Sequence, residues 1–171
     1  MSAAPFRFEI LAAGHDRTSF HSGDDALDRY FQTQVTQDIR RRITNCFVLI
    51  EIVTSRAAAY YTLSAASIPF VDLPPDEAKR LPRYPTLPAV RIGRLAVDLR
   101  FQRRGLGELI LINAVHRTMQ DAAAAFALLG DAKNDQAVAF YRRYGFRTIA
   151  DKSMTLFLPL ATAHKTLLQM S

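Results

Sequence analysis

Residues 90–97 constrain the fold of this chain more than any other stretch. They are mostly aliphatic and β-branched, which is typical of a buried strand. One apolar pair, Val90 and Ile92, lies on one face of that strand, whereas the next pair, Leu95 and Val97, falls on the other face. Side chains alternate strictly along a strand, so the slip predicts a β-bulge or a splayed strand end between the two pairs.

The turn after this strand is a candidate phosphate-binding loop. Gly105 and Gly107 open a pattern with an apolar helical face. A glycine-rich turn at a helix start presents unpaired backbone N–H groups and the positive end of the helix dipole, and nearby arginines add charge. The predicted loop comprises Gln102, Arg103, Arg104, Gly105, Leu106 and Gly107. Two glycines alone are equally consistent with the ordinary start of a helix that binds no phosphate.

The net charge of +6 is concentrated around this loop. Residues 79–108 contain eight basic and two acidic side chains, and the remainder of the chain contains 14 of each sign. Such a field attracts a polyanion, either cofactor phosphates or nucleic acid. Arg91 and Arg94 have few carboxylates near them in sequence, so they are candidates for contact with nucleic-acid phosphates. A solvated basic face without a partner is the alternative interpretation.

Length and composition predict one globular domain over residues 1–171, with 49% hydrophobic and 22% charged residues. The single cysteine, Cys46, excludes an internal disulfide and a cysteine-based zinc cluster, and the four histidines are scattered. No apolar stretch approaches the roughly 18–20 residues of a membrane helix, and the N-terminus lacks the apolar core of a signal peptide. We therefore expect a cytoplasmic protein that contacts no membrane and holds no metal.

The remaining pattern alternates between helices and strands. Predicted helices cover residues 24–42, 105–123 and 135–144, predicted strands cover 46–53, 60–68, 90–97, 124–132 and 154–160, and a structured loop covers 69–88. That loop contains six of the eight prolines, which disfavour a central strand or a long helix. The order predicts an α+β sandwich around one sheet.

Two motifs resemble those of the GNAT family, the GCN5-related N-acetyltransferases. The segment LAVDLRFQRRGLGELILINAV resembles the family's acetyl-CoA-binding motif, in which the loop is Gln/Arg-x-x-Gly-x-Gly/Ala, and Gln102, Gly105 and Gly107 match it. Downstream, Asn134 and the run AFYRRYGF resemble the second motif. The resemblance implies acetyl-CoA as the acetyl donor. It also implies a single mixed, largely antiparallel sheet with helices on both faces and a splayed central strand pair.

Other segments look like the GNAT toxins of bacterial toxin–antitoxin pairs. The matching segments are Gly23 with Leu27-Asp28, YYTLS at 60–64, LPRYP at 81–85 and GRLAVD at 93–98. Those enzymes transfer acetyl from acetyl-CoA to the α-amino group of the amino acid on charged tRNA, which stops translation. The resemblance therefore implies a translation-blocking toxin with aminoacyl-tRNA as substrate, a cognate ribbon-helix-helix antitoxin and a homodimer. Arg91 and Arg94 become candidates for tRNA contact.

The resemblance also implies residue roles. By its position in FYRRYGF, Tyr141 is similar to the family's catalytic tyrosine; with a reference pKa near 10, a tyrosine can protonate a departing thiolate. A splayed strand leaves a backbone N–H free to stabilise an oxyanion. The predicted cofactor contacts outside the loop are Leu95, Ala96, Val97, Asn134 and Phe140. No general base is obvious, which favours an α-amine, with a pKa of about 8, over a lysine near 10.4.

Two other functions remain open at this point. One is a GNAT acetyltransferase of a small-molecule amine or a protein N-terminus, and the other is a non-catalytic nucleic-acid- or protein-binding module on the same fold. The chain also departs from the toxin pattern at Ala59, where glycine is usual, and at Gly130, in a strand that is usually more apolar. We expect Ala59 to alter local strand packing and neither residue to touch the chemistry.

Overall fold

The computed structural model describes residues 5–150 and 152–168, which form an α+β arrangement around one mixed sheet. Its strands are β1 (Phe6–Ile10), β2 (Asn45–Glu51), β3 (Ala57–Pro69), β4 (Thr86–Val97), β5 (Ala127–Asp131), β6 (Arg147–Ile149) and β7 (Lys152–Pro159). Its helices are α1 (Asp25–Arg29), α2 (Val35–Arg40), α3 (Pro75–Ala78), α4 (Leu106–Gln120), α5 (Asp135–Arg143) and α6 (Leu160–Leu168). A π-helical turn, Tyr30–Gln34, joins α1 to α2, and 3-10 turns cover Phe70–Asp72 and Leu99–Phe101. The strand order is β1-β2-β3-β4-β5-β7-β6.

The chain divides into two compact units. The first contains residues 1–64 and 93–110, and the second contains residues 65–92 and 111–171. Within the first unit, β1 pairs antiparallel with β2, and β2 pairs antiparallel with β3. Stacked rings fill its core, where Phe31 lies 4.3 Å from Tyr60 at an interplanar angle of 4°. Aromatic burial of this kind dominates the energetics of small cores.

A fully buried carboxylate, Asp98, anchors the polar part of the first unit. It is 0% exposed and caps the 3-10 turn after β4 by accepting a hydrogen bond from the backbone N–H of Arg100 at 2.9 Å. The Arg100 side chain donates to both carboxylate oxygens, at 2.9 and 3.1 Å. The backbone N–H of His21 donates to the same carboxylate at 3.0 Å. Every partner is a donor, so the charge stays compensated without water.

The second unit contains the parallel strand pair. Strand β4 pairs with β5 from Ala89 opposite Ala127 to Ile92 opposite Gly130, and β5 and β6 each pair antiparallel with β7. The pairing of β4 with β5 ends there, although β4 continues to Val97. The splayed pair expected in the mixed, largely antiparallel sheet is therefore confirmed.

Most predicted elements are confirmed within a few residues of their expected bounds. The predicted C-terminal boundary of the proline-rich loop is wrong. Strand β4 begins at Thr86, so Pro88 lies inside the strand instead of in a loop over 69–88. A proline is tolerated near a strand's start, and the Pro88 carbonyl still accepts a hydrogen bond from Phe126 N at 2.8 Å. The strands β1 and β6, the helix α6 and the π-helical turn were not predicted.

Gly130 provides a stability prediction for the second unit. An ideal Cβ at this position would stand 2.7 Å from the ring carbon Cζ of Tyr141, closer than side chains tolerate. We expect Gly130→Ala to lower the free energy of unfolding by about 1–3 kcal/mol, because the buried ring must move. Urea denaturation followed by circular dichroism measures the change. Gly14→Ala is the matched control, since a Cβ there meets no described atom within 4 Å; equal stability of both variants would contradict the packing described.

Asp98 provides a pH prediction. Burial acts to raise the pKa of this carboxyl, but hydrogen bonds from Arg100 and from the backbone of His21 outweigh burial and hold the pKa below its ordinary value. Because the pKa is lower in the folded chain, the contribution of Asp98 to stability is complete above the unfolded value, about 3.9, and is lost as pH falls through the folded value. We expect Asp98→Asn to flatten this acid limb of stability and to cost about 1–3 kcal/mol at pH 7.

Denaturant titrations between pH 7 and pH 2 measure the acid limb, with the exposed Asp121→Asn as control. An acid limb that Asp98→Asn leaves unchanged would show that another carboxyl controls it.

Candidate functional site

The loop after β4 has the backbone shape of an anion site. Arg103 and Gly105 both adopt left-handed conformations, with φ of +65° and +74°. Such turns point successive N–H groups into one concavity, and the first N–H groups of α4, which starts at Leu106, have no partner within the helix. A Cβ added at Gly105 would meet no atom of the described residues within 4 Å, so the backbone is open to a ligand. The loop therefore fits a diphosphate.

The side chains of the loop divide by exposure. Arg103, Arg104 and Gly105 are exposed, Gly107 is half-buried, and Leu106 is buried at 5% exposure. The two arginines thus place positive charge beside the backbone concavity, and the Arg104 guanidinium lies 5.5 Å from the ring centroid of Phe101. Leu106, which the sequence predicted as a cofactor contact, is buried and anchors the start of α4 in the core.

Gln102 contacts protein carbonyl groups. Its Nε2 donates to the carbonyl oxygen of Val97 at 2.9 Å and to that of Ser22 at 3.0 Å. The amide therefore links the end of β4, the start of the loop and a segment near the N-terminus. The sequence predicted a cofactor contact here; the structure gives the Gln102 side chain two partners within the chain.

The strand end contains a residue that sequence reasoning missed. Thr62 is 1% exposed, and its Oγ1 accepts a hydrogen bond from the backbone N–H of Arg94 at 3.0 Å. This contact falls where the alternation of β4 slips, so a side-chain oxygen takes the place of a regular backbone acceptor. Strand β3 also contains Ser64 and Ser67, so nothing in the sequence singled out Thr62. Beyond this point, Ala96 is buried, and Leu95 and Val97 are half-buried.

Tyr141 lies on α5 with only 4% exposure. Its ring packs on Gly130 and lies 4.9 Å from the ring of Phe146, so Gly130 contacts the residue that the sequence suggests as proton donor. Burial, with a further contribution from the Asp131 carboxylate, raises the pKa of Tyr141 above its ordinary value. The hydroxyl is therefore protonated at neutral pH, which is the state required of a proton donor.

The other predicted residues of the second motif support the helix. Asn134 caps α5, its Oδ1 accepting a hydrogen bond from Ala137 N at 2.9 Å, so this oxygen is engaged in the fold. Phe140 is half-buried, with its ring 5.4 Å from Tyr141 and 5.2 Å from Tyr144. Both residues position the helix that carries Tyr141.

The two candidate arginines of β4 have partners that are distant in sequence. The Arg91 guanidinium forms an ion pair with Asp131. The Arg94 guanidinium lies 3.5 Å from the ring centroid of Tyr30, whose hydroxyl donates to Asp38 at 2.8 Å. Neither partner lies near its arginine in sequence, so the expectation of few local carboxylates did not reveal them.

The predicted residues fall into two groups, one in each compact unit. The first unit brings together Arg94, the strand end 95–97 and the loop 102–107. The second unit contains Arg91, Asn134, Phe140 and Tyr141. Within the second group, Asn134, Phe140 and Tyr141 lie at the start of α5 or within it, whereas Arg91 lies on β4.

The described residues contain neither a metal-binding cluster nor a membrane-spanning helix. In this part of the chain no three His, Cys, Asp or Glu side chains cluster closely enough to hold a metal ion, and no helix is long and apolar enough to cross a bilayer. A cavity of about 350 Å³ opens near the end of α4, lined by residues that include Thr118, Met119 and the alanines 122–125. It contains none of the predicted site residues, so we assign it no part in the chemistry.

Comparison with known proteins identifies the family. A family model described as an acetyltransferase (GNAT) domain matches residues 82–156. A tRNA-acetylating toxin of Mycobacterium tuberculosis is 31% identical over 155 residues, covering 90% of this chain and 91% of the relative. A probable toxin TacT of Sinorhizobium fredii is 27% identical over 157 residues, covering 86% and 87%.

Solved structures agree over almost the whole chain. A tyrosine-to-phenylalanine mutant of KacT superposes with a TM-score of 0.86 at 28% identity, covering 95% of this chain and 99% of KacT. AtaT complexed with acetyl-methionyl-tRNAfMet gives a TM-score of 0.85 at 26% identity, covering 97% and 99%. AtaTR bound with AcCoA gives 0.81 at 25% identity, covering 98% and 99%. Together with the diphosphate-shaped loop, these similarities establish that the chain belongs to the GNAT family of acetyltransferases.

Proposed function

We propose that this chain is an acetyl-CoA-dependent N-acetyltransferase that acetylates the α-amino group of aminoacyl-tRNA and thereby acts as a translation-blocking toxin. The observation that carries the proposal is the similarity to a tRNA-acetylating toxin over 90% of the chain. The structure of the related AtaT with acetyl-methionyl-tRNAfMet supports the same substrate class. We further propose that residues 1–171 act as a single catalytic domain.

The loop supplies the cofactor contacts in this proposal. Acetyl-CoA provides the acetyl group as an activated thioester. The backbone N–H groups of residues 103–107 bind its diphosphate, and Arg103 and Arg104 add charge. At the strand end, a backbone N–H of residues 95–97 donates to the acetyl carbonyl oxygen as negative charge develops there. Asn134 caps α5 and Phe140 packs against Tyr141, so both support the helix that carries the proposed proton donor.

Tyr141 is the catalytic residue of the proposal. Its hydroxyl, protonated at neutral pH, donates its proton to the departing sulfur. The attacking group needs little help, because an α-amine with a pKa of about 8 has a useful neutral fraction near pH 7. A lysine side chain near 10.4 would be almost wholly charged, which disfavours it as the acceptor.

Arg94 is the stronger of the two candidates for tRNA contact. Its guanidinium stacks on the neutral ring of Tyr30, which restrains its direction and leaves its positive charge uncompensated by that partner. Arg91 is paired with Asp131, which offsets part of its charge. We propose that both arginines contact tRNA phosphates, with Arg94 contributing more.

The proposed partners follow from the relatives. Solved relatives include the AtaT–AtaR complex bound to DNA and the KacTA–DNA complex, at 25% and 26% identity. We propose a cognate antitoxin of the ribbon-helix-helix class for this chain, a homodimeric assembly, and a location in the cytoplasm, where charged tRNA is found.

Transfer of labelled acetyl from acetyl-CoA to a pool of charged tRNA tests the proposal. We expect label on the aminoacyl group with the wild type. Tyr141→Phe should lower kcat by about 10²- to 10⁴-fold, the range for loss of a general acid, and leave CoA binding intact. Tyr144→Phe is the matched control, because Tyr144 is a similarly buried tyrosine of the same segment, 6% exposed, and should retain activity.

Two results would contradict the proposal. Label on a polyamine or a peptide N-terminus without label on charged tRNA would assign a small-amine or protein acceptor. CoA binding without transfer to any of these acceptors would indicate a non-catalytic module on the GNAT fold.

A further inference from the structure

We call residues 19–22 the strap. All four backbone carbonyls of this segment accept hydrogen bonds. The donors are Arg100 Nη2 to Ser19 O at 3.4 Å, Gln32 Nε2 to Phe20 O at 2.8 Å, Leu99 N to His21 O at 2.9 Å and Gln102 Nε2 to Ser22 O at 3.0 Å. The strap belongs to no helix or strand. A segment outside regular structure with every carbonyl bonded is held in one conformation.

The N–H side of the strap is held by two buried carboxylates. His21 N donates to Asp98 at 3.0 Å, and Ser22 donates to Asp28 through both its backbone N–H, at 2.9 Å, and its hydroxyl, at 2.6 Å. Asp98 is 0% exposed and Asp28 is 5% exposed. Hydrogen bonds to charged, desolvated acceptors are stronger than neutral ones, so this edge of the strap is fixed as well.

The side chain that donates to the Phe20 carbonyl comes from an unusual helical turn. Gln32 is half-buried and lies in the π-helical turn Tyr30–Gln34 between α1 and α2. A π turn accommodates one extra residue and so changes the direction of the side chains that follow it; such turns occur frequently at functional sites. Here the turn carries the side chain that bonds the Phe20 carbonyl.

On its other side, the strap meets the diphosphate loop through Gln102. The same Nε2 bonds Ser22 O and Val97 O, so one amide joins the strap, the end of β4 and the start of the loop. The next residue, Arg103, has a φ of +65°, a conformation that is unfavourable for a residue with a Cβ. Such conformations persist where neighbouring contacts enforce them, and the strap supplies those contacts.

We propose that Gln32 and Gln102 are positioning residues for acetyl-CoA: they hold the strap from its two sides, and the strap holds the backbone of the loop 103–107 in its anion-binding shape. This inference rests on the proposed role of that loop as the acetyl-CoA site. Gln102 thereby acts through the backbone that it fixes. Loss of either amide weakens cofactor binding and leaves proton donation by Tyr141 unchanged.

Gln32→Met and Gln102→Met test the proposal, since methionine keeps the length of the side chain and removes the donor. We expect the Kd for CoA, measured by calorimetry, and the KM for acetyl-CoA each to rise about tenfold, the change for one lost hydrogen bond. The kcat should stay within about twofold of wild type, because neither side chain touches the reacting atoms. Gln37→Met, at an exposed position on α2, is the control and should bind CoA like the wild type.

The double variant tests whether both side chains act through the strap. Its loss of CoA affinity should be smaller than the sum of the two single losses, because either change alone already releases the strap. If Gln32→Met does not fold, Gln32→Glu takes its place with the same expectation, since ionised glutamate keeps the shape without the donor.

Failure of this inference is distinguishable from failure of the proposed function. Suppose that the wild type binds CoA and Gln32→Met binds it with equal affinity, or that Gln32→Met lowers only kcat. Either result overturns the role of the strap and leaves the loop assignment intact. A wild type that does not bind CoA overturns both.

Discussion

A carboxylate without solvent contact must be surrounded by donors, or its burial destabilises the fold. Asp98 meets this condition in the first compact unit, where Arg100 donates from three nitrogens and the backbone of His21, 77 residues earlier in the chain, donates a fourth hydrogen bond. Asp98 N also donates to Ala58 O at 2.8 Å, which ties the carboxylate to β3. This one side chain therefore fixes the position of three features: the N-terminal segment, the end of β4 and the start of the diphosphate loop.

A close approach organises the second unit in a comparable way. The ring of Tyr141 lies so near the backbone of Gly130 that no side chain fits there. This packing buries the ring and raises the pKa of the phenol, so the hydroxyl holds its proton at neutral pH and is a weaker acid than a free tyrosine. The glycine that breaks an apolar strand is therefore explained by the ring above it: an apparent weakness in the strand pattern is a requirement of the candidate site.

Local sequence chemistry predicted the parts of the fold that local interactions determine. The slip in β4, the glycine loop and the start of α4 follow from patterns within a few residues. The short strands β1 and β6 gave too little pattern to recognise, and the π-helical turn has no local signature that distinguishes it from an α-helix. Asp131 beside Arg91, Tyr30 beside Arg94 and Ser22 beside Gln102 each lie tens of residues away in sequence, and only tertiary packing reveals them.

The central claim is that the backbone of residues 103–107 binds the cofactor diphosphate. Hydrogen exchange of the wild-type protein, measured by mass spectrometry with and without CoA, tests it most directly. A bound phosphate accepts hydrogen bonds from backbone N–H groups and so slows their exchange. The account predicts slower exchange in a peptide covering 103–107 on addition of CoA. Unchanged exchange there, with protection confined to other segments, would contradict it.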